Sequence, residues 1–181
     1  MNLHVSSRDI GQRTLDIVSE MKSLEGPLLP ILHEIQALVS RSSLSMPRRS
    51  ATGFDNSRLH LVTAVVTRRA GVALYDQDVF LNVVGGLRID EPAADLAAAL
   101  AIVSSARDHA LPSDLIALGE LGLSGELRGV GQLEQRLREA AKLGFASALV
   151  PRLAAERLPR GLGLAPIPAG SLRDALKILN L

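Results

Sequence analysis

Residues 78–106, DVFLNVVGGLRIDEPAADLAAALAIVSSA, decide the fold class. Their first part is rich in β-branched and aliphatic residues and stops at Gly85-Gly86, which predicts a strand. Asp90 then makes a good helix N-cap, and Pro92 lies near the first turn, where its missing N–H does no harm. The helix that follows is apolar almost all round, so we expect it to be buried at the centre of the domain.

Strands and helices continue to alternate after this stretch. The pattern predicts a strand over residues 115–118, a hairpin over 119–128 with turns at Gly122 and Gly125, a surface helix over 131–142, strands over 146–150 and 164–167, and a helix from Ser171 to 178. This order is typical of an α/β fold with some hairpin pairing.

The residues before the stretch are less regular. A helix capped by Asp55 or Asn56 should run to about residue 69, with Gly71 just past its end. Residues 41–53 look like a loop, and residues 28–39 look like a strand pair or one bent strand. Helical spacing of apolar residues predicts an amphipathic helix over residues 7–21.

Composition bounds the class of protein. The 181 residues suffice for one domain; 47% are hydrophobic but only 2% aromatic, so the core must be aliphatic. A net charge of +1 does not by itself argue for nucleic acid. The absence of Cys excludes disulfides and a thiolate zinc site, and no apolar run is long enough to span a bilayer. We therefore expect an untargeted cytoplasmic protein with no membrane contact.

Four stretches carry a resemblance to a known family. They are residues 34–39 (EIQALV), 47–59 (PRRSATGFDNSRL), 82–96 (NVVGGLRIDEPAADL) and 119–128 (GELGLSGELR). In this order and without large gaps they resemble the C-terminal Lon-like domain of the RadA (Sms) family of bacterial recombination proteins. The resemblance implies an α/β, Lon proteolytic-domain-like fold, a mixed sheet with packed helices, over residues 34–181. Residues 1–33 match poorly and are expected to be a helix, a linker or a swapped arm of uncertain role.

The same resemblance implies a lost catalytic pair. In active Lon-type peptidases a Ser follows Gly-Pro at the start of one helix, and a Lys on a later helix takes its proton. The matching positions here are Ala93 and Glu134. Alanine has no nucleophilic atom, and Glu134 is expected to pair with Arg138 one helical turn away. We therefore predict no enzymatic activity.

Three serines in the matching region leave a residual Lon-type peptidase as an alternative. Ser104 and Ser105 should close the buried helix, and Ser124 should occupy a turn, so structural roles explain them more simply. The four histidines, His4, His33, His60 and His109, have no metal-ligand spacing.

No cofactor or metal is expected. No phosphate-binding Gly-rich loop precedes a Lys-Ser/Thr pair, so the ATPase domain that the family carries is missing from this chain. The acidic cluster of Asp90, Glu91 and Asp95 is better explained by helix capping than by acid–base chemistry.

Arg41, Arg48, Arg49 and Arg58 are the candidate DNA-binding residues, since several cations on one surface can neutralise phosphates. No aromatic residues are interleaved with them, so binding should be directed at the backbone and independent of sequence. The alternative is that they form subunit salt bridges or are simply solvated.

By its resemblance, the chain is expected to be a non-proteolytic scaffold for a homo-oligomeric ring, expected to be a hexamer. Auxiliary contact with duplex DNA would serve homologous recombination and DNA repair. A free-standing protein-interaction module is a further alternative.

Overall fold

The computed structural model describes residues 13–22 and 29–181, with side chains from residue 32 onward. Seven of the strands form one mixed sheet in the order β3-β4-β2-β1-β5-β8-β9, and β6 and β7 form a separate hairpin. The strands are β1 (Arg13–Lys22), β2 (Leu29–Arg41), β3 (Arg49–Thr52), β4 (Gln77–Val83), β5 (Leu115–Ala117), β6 (Glu120–Leu121), β7 (Leu127–Arg128), β8 (Ser147–Pro151) and β9 (Ala165–Ala169). The α/β class and the mixed sheet are confirmed.

Five α-helices pack with this sheet. They are α1 (Asn56–Val65), which continues as a π-helix over Val66–Ala70, α2 (Asp95–Ala106), α3 (Leu133–Lys142), α4 (Arg152–Ala155) and α5 (Leu172–Ile178). The Asp55 side chain caps α1, Ser171 caps α5, and Gly71 ends the π-helix with a φ of 73°, as predicted. The predictions for α3, for β4 and for the β6–β7 hairpin are also confirmed.

Helix α2 is the centre of the core. Its residues from Asp95 to Ser104 are all buried, as the apolar sequence predicts. It packs against β1 and β2 and contacts α1 and α5. Truncating Leu100, which is fully buried, to Ala would cost about 2–5 kcal/mol of stability.

Three local predictions are wrong. Residues 13–21 belong to β1, which pairs antiparallel with β2 and parallel with β5, instead of forming a helix; residues 7–12 lie outside the described residues. The predicted 41–53 loop contains β3, because its backbone pairs with β4. Asp90 does not cap α2: its carboxylate accepts from Arg88, and a 3-10 turn over Pro92–Ala94 begins without a side-chain cap.

Both edges of the sheet are protected against further pairing. On β9, the Ala165 N–H donates to Ala146 O at 2.9 Å. Backbone groups alternate in direction along a strand, so those of residues 166 and 168 point away from β8 toward the open edge. Both of these are proline, which has no N–H to offer. On β3, the outward N–H of Ala51 donates to Asn56 Oδ1 at 3.0 Å. Assembly through sheet extension is therefore disfavoured at both edges.

Candidate functional site

Ala93 lies in the 3-10 turn that leads into α2, and it is buried. Its carbonyl accepts from Gly119 N–H at 3.0 Å, which holds the turn against the residues before β6. A methyl group at this position has no proton to lose and no electron pair to donate.

Glu134 is on the outer side of α3, and its carboxylate accepts from Arg138 Nε at 3.0 Å. The predicted one-turn pair is thus confirmed. Both side chains are about half exposed, so solvent screens the interaction and it contributes little to stability.

Two ion pairs flank Ala93 in the chain. On its N-terminal side, Glu91 accepts from both terminal nitrogens of Arg136, one of them at 3.0 Å. Arg136 is buried on α3 and also donates to Gly131 O at 2.9 Å. This pair joins the start of α3 to the segment before α2.

The second pair, Asp95–Arg58, lies on the C-terminal side. Asp95 is fully buried and accepts from Arg58 Nε at 2.5 Å, from Arg58 Nη2 at 2.6 Å and from Leu121 N–H at 3.0 Å. Burial raises the pKa of Asp95, while the hydrogen bonds from Arg58 and Leu121 oppose that rise. The carboxylate therefore joins α1, α2 and β6 at one point.

The three alternative serines have structural partners. Ser104 Oγ donates to His109 O at 2.5 Å, and Ser105 Oγ accepts from Val39 N–H at 2.9 Å. Ser124 contacts the Glu126 carboxylate, and this hydrogen bond is the main reason that the pKa of Glu126 falls to about 2. A carboxylate with so low a pKa is a poor general base near neutral pH.

The histidines do not gather into a site. His33 is buried in β2, whereas His60 and His109 are exposed and far apart in the chain; His4 lies outside the described residues. Within the described part of the chain, no group of three or more His, Cys, Asp or Glu side chains could hold a metal ion.

Three of the four candidate DNA-binding arginines, called here the anchored arginines (Arg48, Arg49 and Arg58), have partners inside the molecule. Arg48 binds the buried Asp78 carboxylate through Nε at 3.1 Å and Nη2 at 2.8 Å. Arg49 donates to the carbonyls of Arg48, Gln77 and Leu74. Burial lowers the pKa of Arg49, and the hydrogen bond to Asp95 raises that of Arg58.

Arg41, the fourth candidate, is exposed at the end of β2. The structure also corrects the expectation that no aromatic ring accompanies these residues. The guanidinium of Arg48 is 5.4 Å from the centre of the Phe80 ring. Phe80 is on β4, so only sheet pairing brings the two together.

A second basic surface, called here the α1–α5 patch, was not predicted from the sequence; its residues are Arg68, Arg69, Arg173 and Lys177. All four are exposed, and none has a carboxylate partner among the described residues. Arg173 Nη2 donates to Arg69 O at 3.1 Å, which holds the π-helix end and α5 together. These residues are 104 positions apart in the chain, so no local sequence signal could have joined them.

The chain matches one family model and is similar to a group of DNA repair proteins. Residues 45–153 match the family model described as subunit ChlI of Mg-chelatase. The chain is 46% identical over 152 residues to the DNA repair protein RadA of Escherichia coli, and 51% identical over 151 residues to that of Pseudomonas aeruginosa. Each alignment covers 83% of this chain and 33% of the relative.

The corresponding RadA protein of Bacillus subtilis is 45% identical over 156 residues. The chain thus spans about a third of the length of the curated relatives it matches. None of the helices in the described residues is long and apolar enough to cross a membrane.

Proposed function

The chain belongs to the family described as subunit ChlI of Mg-chelatase, and from its similarity to the RadA proteins we propose that it serves DNA repair and recombination as a non-proteolytic assembly domain. On this proposal the domain has the Lon proteolytic-domain-like fold that the resemblance implies. Ala93 and Glu134 then stand where the Ser and Lys of a peptidase would be. The chelatase activity in the family's description is not carried over.

The absence of proteolysis rests on the chemistry around Ala93. The carboxylates of Glu91 and Asp95 are both occupied by arginines, so neither is available as a base. We expect no cleavage of casein by the wild-type chain. Cleavage by the wild-type chain that disappears in a purified Ser104→Ala, Ser105→Ala or Ser124→Ala variant would establish a relocated nucleophile and contradict the proposal.

DNA contact is the part of the proposal that the α1–α5 patch carries. Its four exposed cations have no carboxylate partner within residues 32–181 and can neutralise several phosphates, whereas the anchored arginines already have internal partners. The patch offers no aromatic ring among its own residues, so we expect contact with the duplex backbone and no reading of bases.

The salt dependence of duplex binding tests this contact. Each phosphate contact contributes about 0.9 to the slope of log affinity against log salt. The double variant Arg173→Ala/Lys177→Ala should therefore bind a blunt duplex more weakly, with a slope shallower by about 2 in fluorescence anisotropy. The matched control, Arg157→Ala/Arg160→Ala, removes the same charge from the exposed segment before β9 and should bind as wild type does. An unchanged slope in the first variant, with a reduced slope in Arg41→Ala, would move the contact to the end of β2.

Assembly into a ring is the second part of the proposal. Because sheet extension is disfavoured at both edges, we expect side-chain surfaces to form the subunit contacts. Leu44, Met46 and Tyr75 are large exposed apolar residues, and Ser42 N–H donates to Asp76 O at 2.9 Å, which places their two loops side by side. Exposed apolar residues grouped in this way are typical of interaction surfaces.

Light scattering over a concentration series tests the assembly. We expect the mass of a hexamer for the wild-type chain and a lower mass for Met46→Asp/Tyr75→Asp, with unchanged far-ultraviolet circular dichroism. A wild-type monomer at every concentration would contradict a self-sufficient ring scaffold.

A further inference from the structure

One half of the sheet has a face that no other described part of the chain covers. Along β2 and β4, Ile35, Ala37, Val79 and Leu81 are buried, whereas the neighbouring side chains of Gln36, Leu38, Phe80 and Asn82 reach solvent. The uncovered side chains, called here the open sheet face, are Gln36, Leu38, Ser50, Thr52, Phe80 and Asn82. With the backbone they line a shallow cavity of about 280 Å³.

Strand register arranges these residues in two rows. Ser50, Phe80 and Leu38 are direct neighbours across β3, β4 and β2, and so are Thr52, Asn82 and Gln36. The first row offers an aromatic ring and an aliphatic side chain; the second offers two amides and a hydroxyl. The two rows contain no charged side chain.

Charges lie at the two ends of this face. Arg48 is beside Phe80 at one end, with Arg41 at the end of the neighbouring strand β2, and both are exposed. Glu34 lies at the other end, where it accepts from Gln36 Nε2 at 2.9 Å. Because Asp78 pairs with Arg48, a polyanion would be attracted mainly by Arg41 at this end and repelled by Glu34 at the other.

The Asp78 carboxylate fixes the plane of Arg48 above Phe80. Asp78 is buried and binds the guanidinium at two nitrogens, and it also accepts from Arg48 N–H at 2.7 Å. The Arg48 side chain is still 59% exposed, so a ligand can reach it. Nucleic-acid bases stack on aromatic rings and on arginine planes alike.

We propose that the open sheet face binds the unpaired bases of a single nucleic-acid strand, with Arg48 and Phe80 as the stacking platform. Gln36, Asn82, Ser50 and Thr52 supply donors and acceptors for base edges, and Arg41 supplies a cation for a phosphate. This goes beyond the duplex contact proposed above, because the α1–α5 patch lies on helices, whereas the open sheet face is made of strand side chains that alternate with the buried residues of β2 and β4. A base paired within a duplex cannot present its face to this platform.

Binding of the full chain to labelled oligonucleotides tests the proposal. A thymidine oligomer should bind more tightly than an abasic oligomer with the same number of phosphates, since only the former can stack. A uridine oligomer shares the stacking chemistry, and its affinity relative to thymidine distinguishes an RNA ligand from a DNA ligand. Equal affinities for the thymidine and abasic oligomers would overturn the proposal.

Two variants separate stacking from folding and from charge. Phe80→Leu keeps an apolar side chain on β4, and Arg48→Lys keeps the positive charge but loses the plane. Each should weaken thymidine binding by roughly 5- to 100-fold and leave abasic binding unchanged. Thermal melting followed by circular dichroism establishes that both variants are folded, and Arg157→Ala is the control for general electrostatic attraction.

The same variants distinguish single-strand binding at the open sheet face from the duplex binding proposed for the α1–α5 patch. Phe80→Leu should leave duplex binding unchanged, and Arg173→Ala/Lys177→Ala should leave thymidine binding unchanged. Loss of both ligands in either variant would mean that there is one nucleic-acid surface and would overturn the present proposal. If Phe80→Leu instead lowers the oligomer mass and leaves thymidine affinity unchanged, the open sheet face is a subunit contact, which also overturns it.

Discussion

The anchored arginines and the α1–α5 patch are two basic regions of one molecule, and they differ in whether their charged groups already have partners within the fold. Arg48 and Arg58 each bind a buried carboxylate, and Arg49 binds backbone carbonyls. The patch residues are exposed, and within the described part of the chain Arg69 and Arg173 donate to backbone carbonyls, those of Leu123 and Arg69. Loss of an anchored arginine leaves a buried acceptor without its partner, whereas loss of a patch residue leaves only solvent behind. A cluster of arginines in a sequence therefore does not tell which of them are available to a ligand.

The largest effect is expected at Arg58. Arg58→Ala leaves the fully buried Asp95 carboxylate without its bidentate partner, and such a loss costs about 3–5 kcal/mol. Urea denaturation followed by circular dichroism measures the change in the free energy of unfolding. Arg68→Ala removes the same group from the π-helical continuation of α1 and serves as the matched control.

The pH dependence identifies the cause of that loss. The pKa of Asp95 is already raised by burial, and removing Arg58 raises it further. A carboxyl whose pKa is higher in the folded state destabilises that state as pH rises above the unfolded value of about 4. The difference between Arg58→Ala and wild type should therefore be largest at neutral pH and shrink toward pH 4. An equal difference at both would assign the loss to packing instead of buried charge.

A smaller effect is expected at Arg48. Hydrogen bonds from the backbone N–H and then the side chain of Arg48 lower the pKa of Asp78 from 3.8 to about 2. A lowered carboxyl pKa stabilises the folded state above the unfolded value, and that stability is lost as pH falls toward 2. Arg48→Ala removes the side-chain bonds but keeps the backbone bond, so it should lower stability at neutral pH less than Arg58→Ala does. It should also reduce, without abolishing, the loss of stability between about pH 4 and pH 2.

Asp78→Asn removes the carboxylate itself instead of its partner Arg48. The amide does not titrate, so residue 78 should contribute no loss of stability between about pH 4 and pH 2 in this variant. If Arg48→Ala and wild type lose stability in parallel between pH 4 and pH 2, the Arg48 side chain does not hold the pKa of Asp78 low.

The central elements were predictable because local and tertiary preferences agree there. The all-round apolar α2 can only be a core helix, and the caps at Asp55 and Ser171 and the turn at Gly71 satisfy backbone groups that any helix end leaves open. Residues 13–21 show the opposite case, since Leu15 and Val18 suit a helix while Leu15 and Ile17 suit a strand. Pairing with β2 and β5 decides between the two, and that pairing is not encoded locally.

The candidate site was less predictable for the same reason. The pairing of Glu134 with Arg138 follows from helical spacing alone, and it was foreseen. The bonds of Arg58 to Asp95 and of Arg136 to Glu91 span 37 and 45 residues, so they exist only once the fold exists. Asp90 was expected to cap α2, but Arg88, two residues away, binds its carboxylate instead.

The smallest effect on stability is expected at Arg68, and it decides whether the two regions really differ. Arg68 is exposed on the π-helical turn and has no carboxylate partner among the described residues, so Arg68→Ala should change the free energy of unfolding by less than about 0.5 kcal/mol. Its duplex affinity should nevertheless fall, with a salt slope shallower by about 1, because a phosphate contact does not depend on what the residue contributes to folding. A large loss of stability would mean that Arg68 is held by the fold as Arg58 is. Unchanged stability with unchanged duplex affinity would leave the residue solvated and remove it from the patch.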